Sequence, residues 1–189
     1  MKMAWILVMM AVVVIAGASY LTEKRGEAGG SASQEGATAR ATLRNAAGDT
    51  VGAVKLEQDG DLVKLKVQVD GSVAPGFHGF HIHTTGVCVA PFTSAGGHYN
   101  PSAATHPNHA GDLPTLYVDA DGQAEARFAT DRFALDDLLD ADGSAFILHA
   151  GRDNYANIPT NRYDPDPDAT TLATGDAGSR FACGVIEAR

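Results

Sequence analysis

The strongest constraint on the fold is a set of short segments in which apolar and polar residues alternate. Residues 62–69, LVKLKVQV, alternate between polar and apolar residues from Val63 to the end and lie between Asp59-Gly60-Asp61 and Asp70-Gly71. Successive side chains of a β-strand point to opposite faces, so the pattern predicts a strand with one buried face. The Asp and Gly residues at both ends indicate tight turns, which places the segment in antiparallel hairpins.

Similar strand signals recur along most of the chain, between clusters of turn-forming residues. Eight short strands of this kind predict an all-β domain, either a sandwich or a barrel. One short helix is predicted at residues 135–139, beginning near Thr130 or Asp131. The predicted strands are residues 38–44, 51–58, 62–69, 77–83, 116–118, 124–129, 145–149 and 181–187.

Two long segments, residues 84–113 and 151–180, carry no strand pattern. Loops of this length inside a small domain are usually functional or disordered. The first contains several histidines and an aspartate, which favours a functional loop. The second is rich in Asp, Asn, Pro and Gly.

The first 37 residues differ in composition from the rest. Residues 1–22 contain an apolar run after one early lysine, and Ala16-Gly17-Ala18 fits the small-residue cleavage site of a secretory signal. The run is slightly short for a transmembrane helix, so we expect a signal peptide, with an uncleaved N-terminal membrane anchor as the alternative. Residues 23–37 are predicted to be a flexible Gly/Ala/Ser-rich tether. Residues 38–189 form the predicted domain, exported to the periplasm, the cell envelope or the extracellular space.

Charge and cysteine content narrow the partners and the compartment. The formal net charge is −9, which argues against nucleic acid or an anionic membrane surface as a partner. An anionic substrate would therefore need a local positive charge. In an exported chain, the two cysteines Cys88 and Cys183 predict one disulfide, with two buried free thiols as the alternative.

All seven histidines lie between His78 and His149. His81 and His83 are two apart on a predicted strand, so their side chains share a face and can reach one metal ion. His78 has the opposite parity and is predicted to pack or hydrogen-bond behind such a site. Taken alone, the pair is equally compatible with two surface histidines.

A second group of ligand types lies in the first long loop. His98, His106, His109 and Asp112 would complete a tetrahedral shell of nitrogen and oxygen donors, which suits Zn²⁺. Such a shell would also order an irregular loop. The alternative is a polar loop with scattered histidines.

His149 ends a predicted strand and would complete the site of His81 and His83. A shell made only of histidines favours copper over zinc. His98 has two ring nitrogens and, deprotonated on both, can bridge the two metals.

Five segments together resemble the copper/zinc superoxide dismutase family in its exported bacterial form. The resemblance extends, in order, over residues 38–189. The segments are GFHGFHIH at 76–83, GGHYNP at 96–101, HAGDLP at 109–114, LHAGRDN at 148–154 and GDAGSRFACGVI at 175–186.

The resemblance implies an eight-stranded Greek-key β-barrel with two long functional loops. It implies an enzyme that converts two superoxide radicals into O₂ and H₂O₂ by alternating reduction and oxidation of copper, while zinc has a structural and tuning role. His98 would be the bridging imidazolate and would pick up and deliver a proton. The implied copper ligands are His81, His83, His98 and His149, and the implied zinc ligands are His98, His106, His109 and Asp112.

Further roles follow from the same resemblance. Asp153 matches a carboxylate that ties a copper ligand to a zinc ligand, and Arg180 matches an arginine at the substrate mouth. Cys88 and Cys183 match a disulfide that anchors the active-site loop.

Some features depart from the family or stay open. The run Asp164-Pro-Asp-Pro-Asp168 is acidic where animal enzymes have a steering loop rich in lysine and glutamate. We hypothesise that Arg152, between His149 and Asp153, adds to electrostatic steering. A non-catalytic copper-binding module is the alternative to an enzyme, but it usually lacks a copper ligand or the arginine. Homodimer formation stays open.

Overall fold

The computed structural model describes residues 36–157 and 167–189, and this part of the chain contains ten strands. The predicted signal or anchor, the tether up to residue 35 and the acidic residues 164–166 lie outside the described residues. None of the helices within the described ranges is long and apolar enough to cross a membrane. The strands are β1 Thr38–Asn45, β2 Thr50–Asp59, β3 Leu62–Val69, β4 Gly76–His78, β5 Phe80–His83, β6 Leu116–Val118, β7 Ala124–Thr130, β8 Ala145–His149, β9 Arg180–Val185 and β10 Glu187–Ala188.

Eight of these strands form one curled antiparallel sheet. Its order is β5-β8-β9-β1-β2-β3-β7, with β10 paired to β1, and β4 and β6 form a separate two-stranded sheet. Strands β1, β2 and β3 follow one another as hairpins, whereas β9 returns late in the chain to lie beside β1. Such long returns are the mark of Greek-key topology. The prediction of an all-β Greek-key barrel is confirmed.

The predicted strand at residues 77–83 is divided at Gly79, where the chain changes sheets. His78 pairs with β6, while Phe80 pairs with β8. The Gly79 carbonyl accepts a hydrogen bond from His149 N at 2.8 Å, and a side chain at Gly79 would lie 2.6 Å from Ala177 Cβ. The chain can therefore make this step only with a glycine. The last predicted strand is also divided, into β9 and β10, but both parts stay in the main sheet and pair with β1.

The helical segments differ from the prediction in type and number. The helix predicted at 135–139 is one 3-10 turn, Leu135–Leu138, and it begins after Ala134 rather than near Thr130 or Asp131. The Asp137 carboxylate accepts a hydrogen bond from Ala134 N at 2.8 Å and so fixes that start. A second 3-10 turn covers Thr93–Ala95.

The second long loop contains an α-helix that the sequence analysis missed, α1 at Ala169–Thr174. The Asp168 carboxylate accepts a hydrogen bond from Thr171 N at 2.8 Å, as an N-cap residue does. Gly175 ends the helix in the left-handed conformation, with φ of 60°. The Asp at the start and the Gly at the end were the available sequence signals.

A buried glutamine joins the hairpin of β2 and β3 to the 3-10 turn at Leu135–Leu138. Gln58 occupies an inward position of β2 and is 2% exposed. Its Oε1 accepts a hydrogen bond from Leu135 N at 2.7 Å, and its Nε2 donates to Gly60 O at 2.8 Å. Leu135 and Leu138 are both buried in the barrel core. The Gln58 amide therefore fixes the turn in the position in which these two leucines pack on the core.

We expect Gln58→Leu to lower the free energy of unfolding by about 1–3 kcal/mol, because Leu135 N and Gly60 O would lose their buried partner. The exposed Gln68 on β3 offers the matched control, and Gln68→Leu should change stability by less than about 0.5 kcal/mol. Urea unfolding of the two variants checks the difference. Equal midpoints would show that the amide does not anchor the turn.

Candidate metal centre

The first long loop lies along the free edge of β5, the last strand of the main sheet. Ile82 donates to Gly111 O at 2.9 Å and accepts from Tyr99 N at 2.8 Å, while Thr84 N donates to Gly97 O at 3.0 Å. Because the N–H and the C=O of Ile82 both point to this edge, these bonds hold the loop beside His81 and His83. This contact brings residues far apart in sequence into one cluster.

Four histidines form the first cluster, and one nitrogen of each lies within 4.8 Å of the others. The second ring nitrogen is held by the protein in three of them. His83 Nδ1 donates to Gly96 O at 2.9 Å, His149 Nδ1 to Gly178 O at 3.1 Å, and His81 Nε2 to Asp153 at 2.7 Å. The members of the cluster are His81, His83, His98 and His149.

The inward nitrogens of this cluster have no hydrogen-bond partner among the described residues. They are His81 Nδ1, His83 Nε2, His98 Nε2 and His149 Nε2. Buried polar atoms are nearly always satisfied, so four convergent exceptions call for a ligand. A copper ion fits this all-nitrogen donor set.

Three histidines and one aspartate form the second cluster. Asp112 Oδ1 lies 2.7 Å from His98 Nδ1, and its Oδ2 lies 3.1 Å from the Nδ1 atoms of both His106 and His109. The Nδ1 atoms of His98 and His109 are 3.4 Å apart. Three nitrogens and one carboxylate converging in this way match the donor set of a tetrahedral zinc site.

His98 belongs to both clusters. Its Nδ1 faces Asp112 in the second cluster, while its Nε2 faces the first cluster without a partner among the described residues. The two nitrogens of a single buried ring therefore point to two different sites. Geometry of this kind allows one imidazolate to join two metal ions.

A second, outer connection links the clusters through Asp153, which is 2% exposed. Its Oδ2 accepts from His81 Nε2 at 2.7 Å, and its Oδ1 accepts from His106 Nε2 at 2.9 Å. A Cβ at Gly175 would lie 1.9 Å from Asp153 Oδ1, so the glycine that ends α1 also leaves room for this carboxylate. Partners of this type fix ring orientation and tautomer in metal sites.

The electrostatic environment favours the metal-binding protonation states of His83, His149 and Asp112, whereas His106 must lose a proton before it can bind a metal. Burial, with nearby positive charge, lowers the pKa of His83 to about 2 and that of His149 to about 3, so both rings are neutral. Burial alone would raise the pKa of Asp112, but hydrogen bonds from His106 and His98 outweigh it and lower the pKa. For His106, burial is outweighed by Asp112 and Asp153, which raise the pKa to about 9.

Arg180, half-buried at the start of β9, provides a positive charge beside the first cluster. Its guanidinium donates to Phe92 O and Gly96 O, and its charge helps to lower the pKa values of His83 and His149. A cleft of about 620 Å³ is lined by Arg180, His83, His98 and His149, together with residues of α1. A small anion in this cleft would meet the arginine and the histidines together.

Cys88 and Cys183 form a disulfide with a Cα–Cα distance of 5.7 Å and a sequence separation of 95 residues, as predicted. Cys183 lies buried on β9, so the bond ties the loop that carries Phe92 and Gly96 to the strand that carries Arg180. Closing a loop of this length stabilises a fold by about 4 to 5 kcal/mol in the chain-entropy model.

Two further predicted residues, His78 and Arg152, also lie outside the clusters. His78 is buried behind the first cluster, with Nδ1 2.8 Å from His149 O and Nε2 2.8 Å from Ala74 O. Arg152 is exposed and is not among the described residues that line the cleft. The sequence analysis missed Arg132 and Tyr155, which contact the loop backbone around the second cluster and carry no metal-ligand signal.

An all-β Greek-key barrel with two adjacent ligand clusters that share a histidine defines a class of dinuclear metalloprotein. The family model for copper/zinc superoxide dismutase matches residues 50–186. The chain belongs to the copper/zinc superoxide dismutase family.

Individual relatives agree with this assignment. A superoxide dismutase [Cu-Zn] from Mycobacterium bovis is 51% identical over 132 residues, which cover 61% of this chain and 55% of that protein. The match therefore spans little more than half the length of this relative. A superoxide dismutase [Cu-Zn] from Photobacterium leiognathi is 35% identical over 155 residues, which cover 74% of this chain and 80% of that protein.

Solved structures show the same fold. A double mutant of a SOD-like protein from Bacillus subtilis has 31% sequence identity and a TM-score of 0.63. The comparison covers 77% of this chain and 95% of that chain.

We expect His106→Ala to lose zinc and retain copper, because His106 contributes only to the second cluster. His98→Ala should weaken the binding of both metals, because its ring belongs to both clusters. Metal content after dialysis, measured by mass spectrometry, checks both variants. Unchanged zinc affinity in His98→Ala would contradict the shared ligand.

Proposed function

We propose that this chain is a superoxide dismutase, an oxidoreductase that converts two superoxide radicals and two protons into O₂ and H₂O₂. The observation that carries the proposal is the pair of buried four-residue clusters joined through His98. We assign copper to His81, His83, His98 and His149. We assign zinc to His98, His106, His109 and Asp112.

The bound copper would supply the redox chemistry, by taking an electron from one superoxide and giving it to a second. The chain supplies the surroundings of this step. Arg180 attracts and orients the anion in the cleft, in a protein whose formal net charge is −9. His98 Nε2 faces the same cluster and is the atom at which a proton could be held and passed on.

The remaining residues keep this arrangement in place. Asp153 orients the rings of His81 and His106, and the carbonyls of Gly96 and Gly178 orient those of His83 and His149. His78 supports the backbone at His149. The disulfide holds the loop whose carbonyls accept the Arg180 hydrogen bonds.

The purified chain, loaded with both metals, should contain one copper and one zinc and should remove superoxide rapidly. Pulse radiolysis or a cytochrome c competition assay measures the rate per copper. Tight copper binding without turnover would instead support a copper-buffering or copper-delivery module. A catalytic rate independent of copper content would contradict the proposal.

We expect Arg180→Ala to lower the rate per copper about tenfold at low salt and to flatten its ionic-strength dependence, because the local attraction for the anion is lost. Arg180→Lys should retain part of the rate. Stopped-flow measurements over a salt series check both variants. Arg152→Ala belongs to the same series, and an unchanged rate and salt dependence in that variant would exclude Arg152 from steering.

We further propose that residues 38–189 form the dismutase domain and that the protein acts outside the cytoplasm, in the periplasm, the cell envelope or the extracellular space. The disulfide and an extracellular superoxide dismutase [Cu-Zn] from Onchocerca volvulus, 34% identical over 177 residues, support export. Residues 1–22 would act as a signal peptide or a retained membrane anchor, followed by the tether of residues 23–37. N-terminal sequencing of the exported protein distinguishes these two fates, and sedimentation velocity tests for a homodimer.

A further inference from the structure

We propose that Arg132 and Tyr155 are positioning residues that hold residues 105–115, the zinc-side loop, in a metal-binding shape and so set how long zinc stays bound. The inference rests on the proposed function, because it assigns zinc to the second cluster. Neither residue belongs to a ligand cluster. Arg132 contacts backbone carbonyls of the ligand residues, and Tyr155 contacts Thr115, three residues after Asp112.

Arg132 follows β7 and reaches the loop from outside. Its Nη1 lies 3.3 Å from Pro107 O, 3.1 Å from His109 O and 3.2 Å from Asp112 O. Two of these carbonyls belong to proposed zinc ligands, and the third belongs to the residue after His106. One charged group therefore faces three carbonyls of the turn whose side chains converge on the metal position.

Tyr155, in the second long loop, contacts the end of the same segment. Its hydroxyl accepts a hydrogen bond from Thr115 N at 3.1 Å and donates to Thr115 Oγ1 at 3.0 Å. Its backbone N donates to Asp153 Oδ1 at 2.6 Å. Tyr155 therefore links the carboxylate behind His106 to the segment that directly follows Asp112.

The two contacts meet around one cleft. Arg132, Tyr155 and Asp112 line a cleft of about 440 Å³, together with Pro107 and Pro114. Residues 105–115 contain no strand or helix, so their shape depends on contacts of this kind. Hydrogen bonds to charged groups are stronger than those between neutral groups, so the Arg132 contacts can hold the loop. Because Arg132 is exposed, solvent screens its charge from the metal position.

The expected consequence is kinetic. Zinc can leave only when its ligands separate, and the loop must first move away from Arg132 and Tyr155. Removing either contact should therefore speed zinc release. The histidines of the first cluster lie mainly on β5 and β8, so copper release should change little.

The experiment uses the full chain loaded with copper and zinc and measures zinc release into a chromophoric chelator. The variants are Arg132→Met, which keeps the apolar stem, and Tyr155→Phe, which removes one oxygen. The controls are Arg127→Met and Tyr117→Phe, because both side chains are exposed and neither contacts the loop. Arg132→Lys tests rescue by a shorter cation, and Co²⁺ in place of zinc reports ligand geometry through its visible absorption.

We expect zinc release about tenfold faster in Arg132→Met and a few-fold faster in Tyr155→Phe, with Arg132→Lys between Arg132→Met and the unaltered chain. The Co²⁺ spectrum should change in Arg132→Met and stay unchanged in both controls. Zinc release within twofold of the unaltered chain in both Arg132→Met and Tyr155→Phe would overturn the proposal. If Arg132→Met fails to fold, release within twofold in both Tyr155→Phe and Arg132→Lys overturns it. Equal acceleration in the controls would also overturn it.

The unaltered chain separates this inference from the proposed function. If it binds zinc but does not consume superoxide, the proposed function fails, while the ratio of release rates still tests the two residues. If it retains no zinc, both proposals fail. If it is active and the ratios equal one, only the positioning roles fail.

Discussion

The arrangement of the site depends on one buried carboxylate, that of Asp153. It accepts hydrogen bonds from His81 on β5 and from His106 in the long loop, and thereby links the sheet to an irregular segment. A buried charge is tolerated only when it is well paired, so the surrounding groups must lie close to it. Gly175 leaves room for the carboxylate, and the backbone of Tyr155 supplies a third donor. The end of helix α1, the two long loops and the edge of the barrel therefore all pack around the Asp153 carboxylate.

The covering of one strand edge explains why the ligand clusters lie at the edge of the sheet. One edge of strand β5 pairs with β8, and the loop containing His98 and His109 covers the other edge through hydrogen bonds to the backbone of Ile82 and Thr84. An uncovered edge strand would expose unpaired backbone groups. Covering it with a ligand-bearing loop satisfies that backbone and brings the two clusters together. The disulfide and Arg180 hold the other end of this loop against β9.

Much of the barrel could be predicted from local patterns. Strands such as β3 alternate, because one face packs on the core, and the Asp–Gly pairs mark their turns. The break at Gly79 could not be predicted, because it marks the point where the pairing partner of the chain changes from β6 to β8. Helix α1 was missed although Asp168 and Gly175 mark its ends, because a six-residue helix has too few turns for a clear apolar period. The burial of Gln58 could not be predicted, because a glutamine side chain is usually exposed. It is explained by the turn at Leu135, whose backbone N–H donates to the Gln58 amide.

For the candidate site, the sequence by itself determined the chemical types and the grouping of the ligands. The pair His81 and His83 on one strand face is a local property of the chain, and so is the spacing of three residues between His109 and Asp112. The tertiary structure alone decided which ring nitrogen of each histidine faces inward, because the carbonyls of Gly96 and Gly178 and the Asp153 carboxylate come from distant segments. It also decided that Arg132 and Tyr155 border the loop of the second cluster. Hydrogen bonds to backbone carbonyls and amides depend on how the chain is folded and leave no pattern in the sequence.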